Sequence, residues 1–233
     1  MALSAALLGC LALLGLSVAR LAGAGPLPAL VVIAAGAAGL AGVVLALGWA
    51  GNRSPGALDN ASGLAVLLEL ARRTEGPEIA YLITDGEELG LAGARAVADR
   101  LPAVQGVINL DGLDDRGRIR VAEGHGWRRK GSAPQLAAAV LSAARALDMD
   151  VDRRPLPWSV PVDHGPLAAA GIPALTVLRG DWRSLARVHR PGDDPGGITG
   201  TGAAATATLL TVALGLLRDS QAAHLAARQG NAS

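Results

Sequence analysis

An α/β domain with a mostly parallel central sheet flanked by helices, preceded by an N-terminal helical hairpin, is the fold class that three features of this 233-residue sequence predict. The texture changes near residue 50, where a segment whose only charge is Arg20 gives way to a charged, mixed sequence. Beyond Ser54, short apolar runs alternate with amphipathic ones, a pattern that packs helices onto a sheet. That second part is about 180 residues long, enough for a single hydrophobic core.

The elements follow in order. Residues 2–19 carry only Ser4 and Ser17 as polar interruptions before Arg20, and residues 22–52 carry no charge, with Pro26 and Pro28 between the two apolar runs. Each run approaches the ~20 residues a membrane-spanning helix needs, so a transmembrane hairpin is expected at 1–50. A cleaved signal peptide is the alternative for the first run, but the start is not basic and the second run would stay unexplained. Arg20 and Arg53 give no charge asymmetry from which to read orientation. The α/β domain is expected at 51–220 and a C-terminal tail at 221–233. Within the domain the apolar pattern predicts a helix at 63–73, a strand at 78–84, a helix at 89–100 and strands at 106–110 and 118–122. A long helix at 134–147, a strand at 174–178, a Gly/Pro-rich loop and a last helix at 201–218 complete it. That last helix is uncharged over 198–217, long enough to span a bilayer, but its Gly, Thr and Ala residues suit packing against a sheet.

Composition removes several function classes. Hydrophobic residues make up 51% and charged residues 18%, with a mean hydropathy of +0.36, too apolar for disorder. Twenty-one basic and 20 acidic residues leave a formal charge of +1, with no surplus to neutralise a phosphate backbone, so no nucleic-acid partner is expected. The single cysteine, Cys10, forms neither an internal disulfide nor a thiolate metal site. Lys130 is the one lysine among the basic residues, as a GC-rich genome would encode.

Ligands of open α/β sheets gather beyond the carboxyl ends of strands, and polar residues collect at such places here. The run 79–84 leads into Asp85, Gly86, Glu87 and Glu88; the run 107–110 leads into Asp111; and the loop after 174–178 carries His189, Asp193 and Asp194. The turn at 54–63 holds Asp59 at its centre. Each has a plainer explanation alone. Asp59 or Asn60 would cap the next helix, Glu87 and Glu88 would favour a positive helix end, Asp111 would close a turn with Gly112, and His189 would be a surface residue. Together they supply the mixed oxygen and nitrogen donors that zinc accepts in hydrolytic sites.

Five segments in order, SPGALDNASG at 54–63, TDGEELGLAGAR at 84–95, VINLDG at 107–112, VDHGPLAAAGIPAL at 162–175 and VHRPGDD at 188–194, resemble the zinc-dependent aminopeptidase family of co-catalytic metallo-exopeptidases. Bacterial leucyl aminopeptidases and glutamate carboxypeptidase are relatives in that family, and the resemblance spans residues 54–218. It implies a zinc-exopeptidase-like fold and an exopeptidase that cleaves peptides through metal-activated water, which the apolar hairpin at 1–50 would anchor in a membrane. By the match, Asp59 bridges two zinc ions, Glu87 is the general base, Glu88 and His189 bind one zinc and Asp111 the other. Asp163 and His164 correspond to a segment near the substrate cleft, and Asp193 to an acidic position after the metal histidine. Bacterial cell membrane is the implied location.

The family's first metal ligand, a histidine in an HxD strand ahead of the DN turn, has no counterpart, since no histidine precedes His125. Three explanations compete. The chain is N-terminally incomplete, with that strand encoded upstream of Met1 and two zinc ions bound in the whole protein. Alternatively, one zinc is held by Asp59, Glu88 and His189, or His125 or His164 is borrowed. Last, the site is impaired and the domain is a membrane-attached binding or scaffold module. An amidohydrolase or cyclase acting on other small amides is the main enzymatic alternative.

Overall fold

A computed structural model describes residues 2–23, 31, 33–40, 53–74, 76, 78–101, 103–124, 131–157 and 160–230. The chain separates into two compact units, Met1–Asn52 and Arg53–Ser233.

In the first unit, helix α1 spans Ala2–Leu21 and residues 33–40 are helical. Gly9 permits close contact between them, because a Cβ there would stand 3.0 Å from the Cα of Ala38. Leu11, Leu14 and Val18 on α1, with Ile33 and Leu40, turn apolar side chains outward. The remainder of the expected second span, including Pro26 and Pro28, lies outside the described residues.

The second unit is built on strands β1 (Val107–Leu113), β2 (Arg118–Ala122), β3 (Val151–Arg153) and β4 (Ala174–Gly180). They lie in the order β1-β4-β2-β3, with β1 parallel to β4, β3 parallel to β2, and β2 antiparallel to β4. Alternation along the strands sorts side chains to two faces. Leu175 and Val177 join Ile119 and Val121 on one face, against helices α2 (Ser62–Arg73), α4 (Pro134–Ala146) and α7 (Thr201–Gly230). Those helices contribute Val66 and Leu70, Leu136 and Val140, and Leu209, Leu210 and Ala213 to the same core. Each fully buried leucine of this set stabilises the fold by roughly 1.5–3 kcal/mol. Toward the other face lie the short helices α3 (Ala92–Ala98) and α5 (His164–Ala169), with a smaller cluster of Ala122, Leu156 and Val162. A further helical turn, α6 (Trp182–Leu185), follows β4 and starts with a capping box on Asp181.

The expected strand at 78–84 forms no ladder with any described strand, and Leu82 and Ile83 are 43% and 67% exposed. Strand propensity measures fit to a pleated neighbour, and no described residue supplies one. The expected helix at 89–100 begins only at Ala92, because Gly86, Gly90 and Leu91 take positive φ and coil the chain before it. The last helix runs beyond 218 into the expected tail and ends at Gly230, through an Ala-rich stretch with no Gly or Pro between 219 and 229. Thr201–His224 within it is long and apolar enough to cross a membrane, yet Thr206, Ala207, Leu209, Leu210 and Ala213 on this helix are buried in the domain.

The start of α7 depends on a side chain from the end of β1. Asp115 accepts hydrogen bonds from the N–H groups of Thr199 and Gly202 and from the hydroxyls of Thr199 and Thr201. Gly202 lets the helix come this close, since a Cβ there would overlap the Asp114 carbonyl. Burial pushes the Asp115 carboxyl up, but those four donors more than reverse it and hold it below the usual carboxylate range. A depressed folded-state pKa adds stability above the unfolded value and loses it as the pH falls toward the folded one. Asp115→Ala is therefore expected to cost about 1 kcal/mol near neutral pH in urea unfolding. The difference from wild type should narrow below about pH 4, and a difference that ignores pH would exclude the ionised cap.

Candidate active site

Three loops meet near the carboxyl end of β1. The first, residues 57–61, carries Asp59 in non-helical geometry, and the Asp59–Asn60 peptide is cis. Asn60 stitches this loop to the strand. Its Nδ2 donates to the Leu110 carbonyl at 2.8 Å, while its Oδ1 accepts from the N–H groups of Gly63 and Gly112. Ser62 adds a second stitch, donating to the Leu58 carbonyl and accepting from the Leu113 N–H. The register of β1 against β4 shifts between Leu110 and Leu113, and Gly112 has φ 61°, so Asp111 sits on a bulge. Bulges of this kind re-aim a side chain at the end of a ladder.

The second loop carries Glu87 and Glu88 on a tight coil. The Asp85 carbonyl accepts from Gly93, the Gly86 carbonyl from Leu89 and Ala92, and the Glu87 carbonyl from Leu91. Since α3 starts only at Ala92 and has seven residues, the two glutamates do not serve as its first-turn acids. The loop after α6 brings His189, itself at φ 62°, back to the same place. It is anchored from behind by Asp114, 1% exposed, which accepts from Ser184 Oγ at 2.6 Å and pairs with Arg187 at 3.0 Å.

These loops bring Asp59, Glu88 and His189 together, with one potential ligand atom from each lying within 4.8 Å of the others. His189 Nε2 stands 3.1 Å from Asp59 Oδ2 and in contact with Glu88 Oε1. Two carboxylate oxygens and an imidazole nitrogen form a three-ligand set of the kind catalytic zinc sites use, with a position left for water or substrate, so these residues fit the metal. Asp111 does not belong to that close set, but its charge interacts with Asp59, Glu88 and His189.

Crowding of acids dominates the electrostatics. Burial, followed by the charges of Asp111, Glu88, Asp59 and Asp163, pushes the Glu87 carboxyl up to about 7. Burial likewise raises Asp111 to about 7, with Asp59, Asp163 and Glu88 adding and His189 opposing. Asp59 is raised by burial against the attraction of His189. Perturbation of several neighbouring carboxyls in one direction is the pattern expected where a cation is meant to sit.

The three residues of the expected cleft have different placements. Asp163 is buried; its Oδ2 accepts from Thr84 Oγ1 at 2.5 Å and its Oδ1 has no hydrogen-bond partner, which suits a group facing a bound ligand. His164 is fully buried with Nδ1 2.7 Å from Thr176 Oγ1, held against the sheet and not among the close ligand atoms. Asp193 is also buried and binds the backbone of the Asp59 loop. His125 lies outside the described residues. The stitches of Asn60 and Ser62 and the Asp114 anchor were not identified from sequence; the nearest signal was the Asn of the DN turn.

The structure is similar to a zinc aminopeptidase from Bacillus subtilis, with a TM-score of 0.56 and 23% identity over 71% of this chain and 43% of that one. It is also similar to an aminopeptidase from Aneurinibacillus, with a TM-score of 0.51 and 26% identity over 71% of this chain and 40% of the other. The Legionella pneumophila aminopeptidase LapA gives a TM-score of 0.56 at 17% identity, over 70% of this chain and 47% of that one. The chain thus spans less than half the length of these relatives. Among curated protein sequences none matches. The profile described as Peptidase family M28 matches residues 39–214, most of the chain, and the protein belongs to that family.

Proposed function

We propose that this protein is a membrane-anchored, zinc-dependent exopeptidase of the aminopeptidase type, with Glu87 as its general base. The observation that carries the proposal is the convergence of Asp59, Glu88 and His189 from three separate loops, with Glu87 next to Glu88 in the chain and within reach of the charges of Asp59 and Asp111.

Asp59, Glu88 and His189 would hold one zinc ion, and Asp111 with Asp59 would contribute to a second. A bound zinc ion supplies Lewis acidity, which polarises the scissile carbonyl and brings the pKa of water toward neutrality. Glu87 does the proton work. Its Oε accepts the proton released when water adds to the peptide carbonyl, and the same oxygen returns that proton to the departing amine. Its partial burial beside Asp59 and Glu88 places that oxygen next to the residues that would hold the ion, where a carboxylate can take and return a proton. Asp163, with one buried oxygen unpartnered, faces the same group of acids and lines the substrate side.

The anchor is assigned to residues 1–50. Its support is the near absence of charge in that stretch and the outward-facing Leu11, Leu14, Val18, Ile33 and Leu40 of the N-terminal unit. A bacterial cell membrane is the bilayer this assignment implies, and peptides are the substrates.

Full-length protein supplied with zinc should release the chromophore from aminoacyl chromogenic substrates, and Glu87→Gln should lower kcat by roughly 10²–10⁴-fold while leaving zinc content unchanged. Equal, negligible rates in both proteins with zinc bound would favour a binding or scaffold module. Zinc at a hundred times its Kd should stabilise the fold by about 2.7 kcal/mol, reversed by a chelator and absent in His189→Ala. A melting temperature indifferent to zinc would remove the metal site. On alkaline extraction of membranes the chain should stay in the pellet, and its release into the supernatant would remove the anchor.

A further inference from the structure

We propose that Asp193 is a positioning residue that holds Asp59 and His189 in mutual register, so that the two loops present one metal site instead of two unrelated side chains. The inference rests on the zinc reading above and concerns how this chain builds the site.

Asp59 and His189 come from loops 130 residues apart, and neither belongs to a helix or strand that would aim it. Asp59 has extended-type geometry in an irregular turn, and His189 takes positive φ. The far side of the Asp59 turn is tied to β1 by Asn60 and Ser62. On its near side three consecutive residues are held by one residue. The Ala57 N–H donates to the Asp193 carbonyl at 3.2 Å, the Leu58 N–H to Asp193 Oδ1 at 2.5 Å, and the Asp59 N–H to Asp193 Oδ2 at 3.1 Å. Asp193 in turn closes the chain segment that follows His189, its own N–H donating to the Arg190 carbonyl at 3.0 Å.

Both carboxylate oxygens of Asp193 are thus spent on backbone N–H groups of the neighbouring loop, and the residue is 1% exposed. Charge-assisted bonds of this kind are stronger and more directional than neutral ones. The arrangement is costly, since it sets a like charge beside Asp59. A neutral acceptor would avoid that cost, but a single side-chain amide offers one oxygen where two N–H groups point. Supporting groups around a metal site set ligand orientation, and their loss weakens metal binding even though they do not touch the ion.

The test uses full-length protein and compares Asp193→Asn and Asp193→Ala with Glu123→Gln. Glu123 is an equally suitable buried acid for control, because its partners, Arg153 and the Ala133 N–H, belong to neither metal loop. Zinc affinity by titration calorimetry, the visible absorption of the cobalt-loaded protein and the melting temperature are measured for each. Asp193→Ala is expected to weaken zinc binding by roughly 10–100-fold and to alter the cobalt spectrum. Asp193→Asn, which keeps one acceptor, should fall between Ala and wild type and covers the case in which Ala does not fold. Glu123→Gln should lower the melting temperature with zinc affinity and cobalt spectrum retained. Wild-type affinity and spectrum in folded Asp193→Asn would overturn the inference, as would an equal loss of affinity in Glu123→Gln. A wild-type protein that binds no zinc would overturn the proposed function first and this inference with it.

Discussion

The charges of Asp59, Glu88, Asp111 and Asp163 all act on the carboxyl group of Glu87, and the loops that carry these acids are held so that the group stays together. Charges of one sign in a low-dielectric setting repel and lose hydration together. Burial and this crowding push the carboxyls of Glu87 and Asp111 up to about 7. His189 lies in contact with both Asp59 and Glu88. A cation held by Asp59, Glu88 and His189 would relieve that repulsion.

The pocket is framed by backbone more than by side-chain packing. Behind it, three helices cover one face of a four-stranded sheet and provide an apolar core on which β1 and β4 are fixed. In front, the chain is irregular: a bulge at Asp111, a coil of positive-φ residues before α3, and a turn at His189. Irregular backbone leaves N–H and carbonyl groups without ladder partners, and buried ones must be paired in some other way. Asn60, Ser62 and Asp193 supply that pairing, and Asp114 holds the His189 loop through the Ser184 hydroxyl and Arg187. Ser62, Asp114 and Asp193 are polar residues buried in the domain, where the loops they hold have no regular structure to do the same.

Much of the layer order was legible from sequence. The segments that became α2, α4, β2, β4 and the start of α7 have apolar runs whose period and length match what they form, and their burial in a common core agrees with it. Residues 78–84 carried an equally good strand pattern and make no ladder among the described residues, since pairing depends on a neighbour that a local pattern does not contain. The three-residue β3 and the four-residue α6 escaped notice because neither is long enough to show a period.

The sequence by itself determined which residue types stand at the ends of the apolar runs, and so the chemistry available: acids in the DN and EE segments, a late histidine, and no thiolate alternative. Order along the chain also linked these segments to a family. Tertiary structure alone decided that Asp59, Glu88 and His189 meet within a few ångströms while His164 is turned into the sheet layer, and that Asp193 faces backbone. The reason is physical. Residue type fixes what a side chain can bond to, but distance between residues 130 positions apart is set by strand register and loop closure, which are properties of the folded chain as a whole.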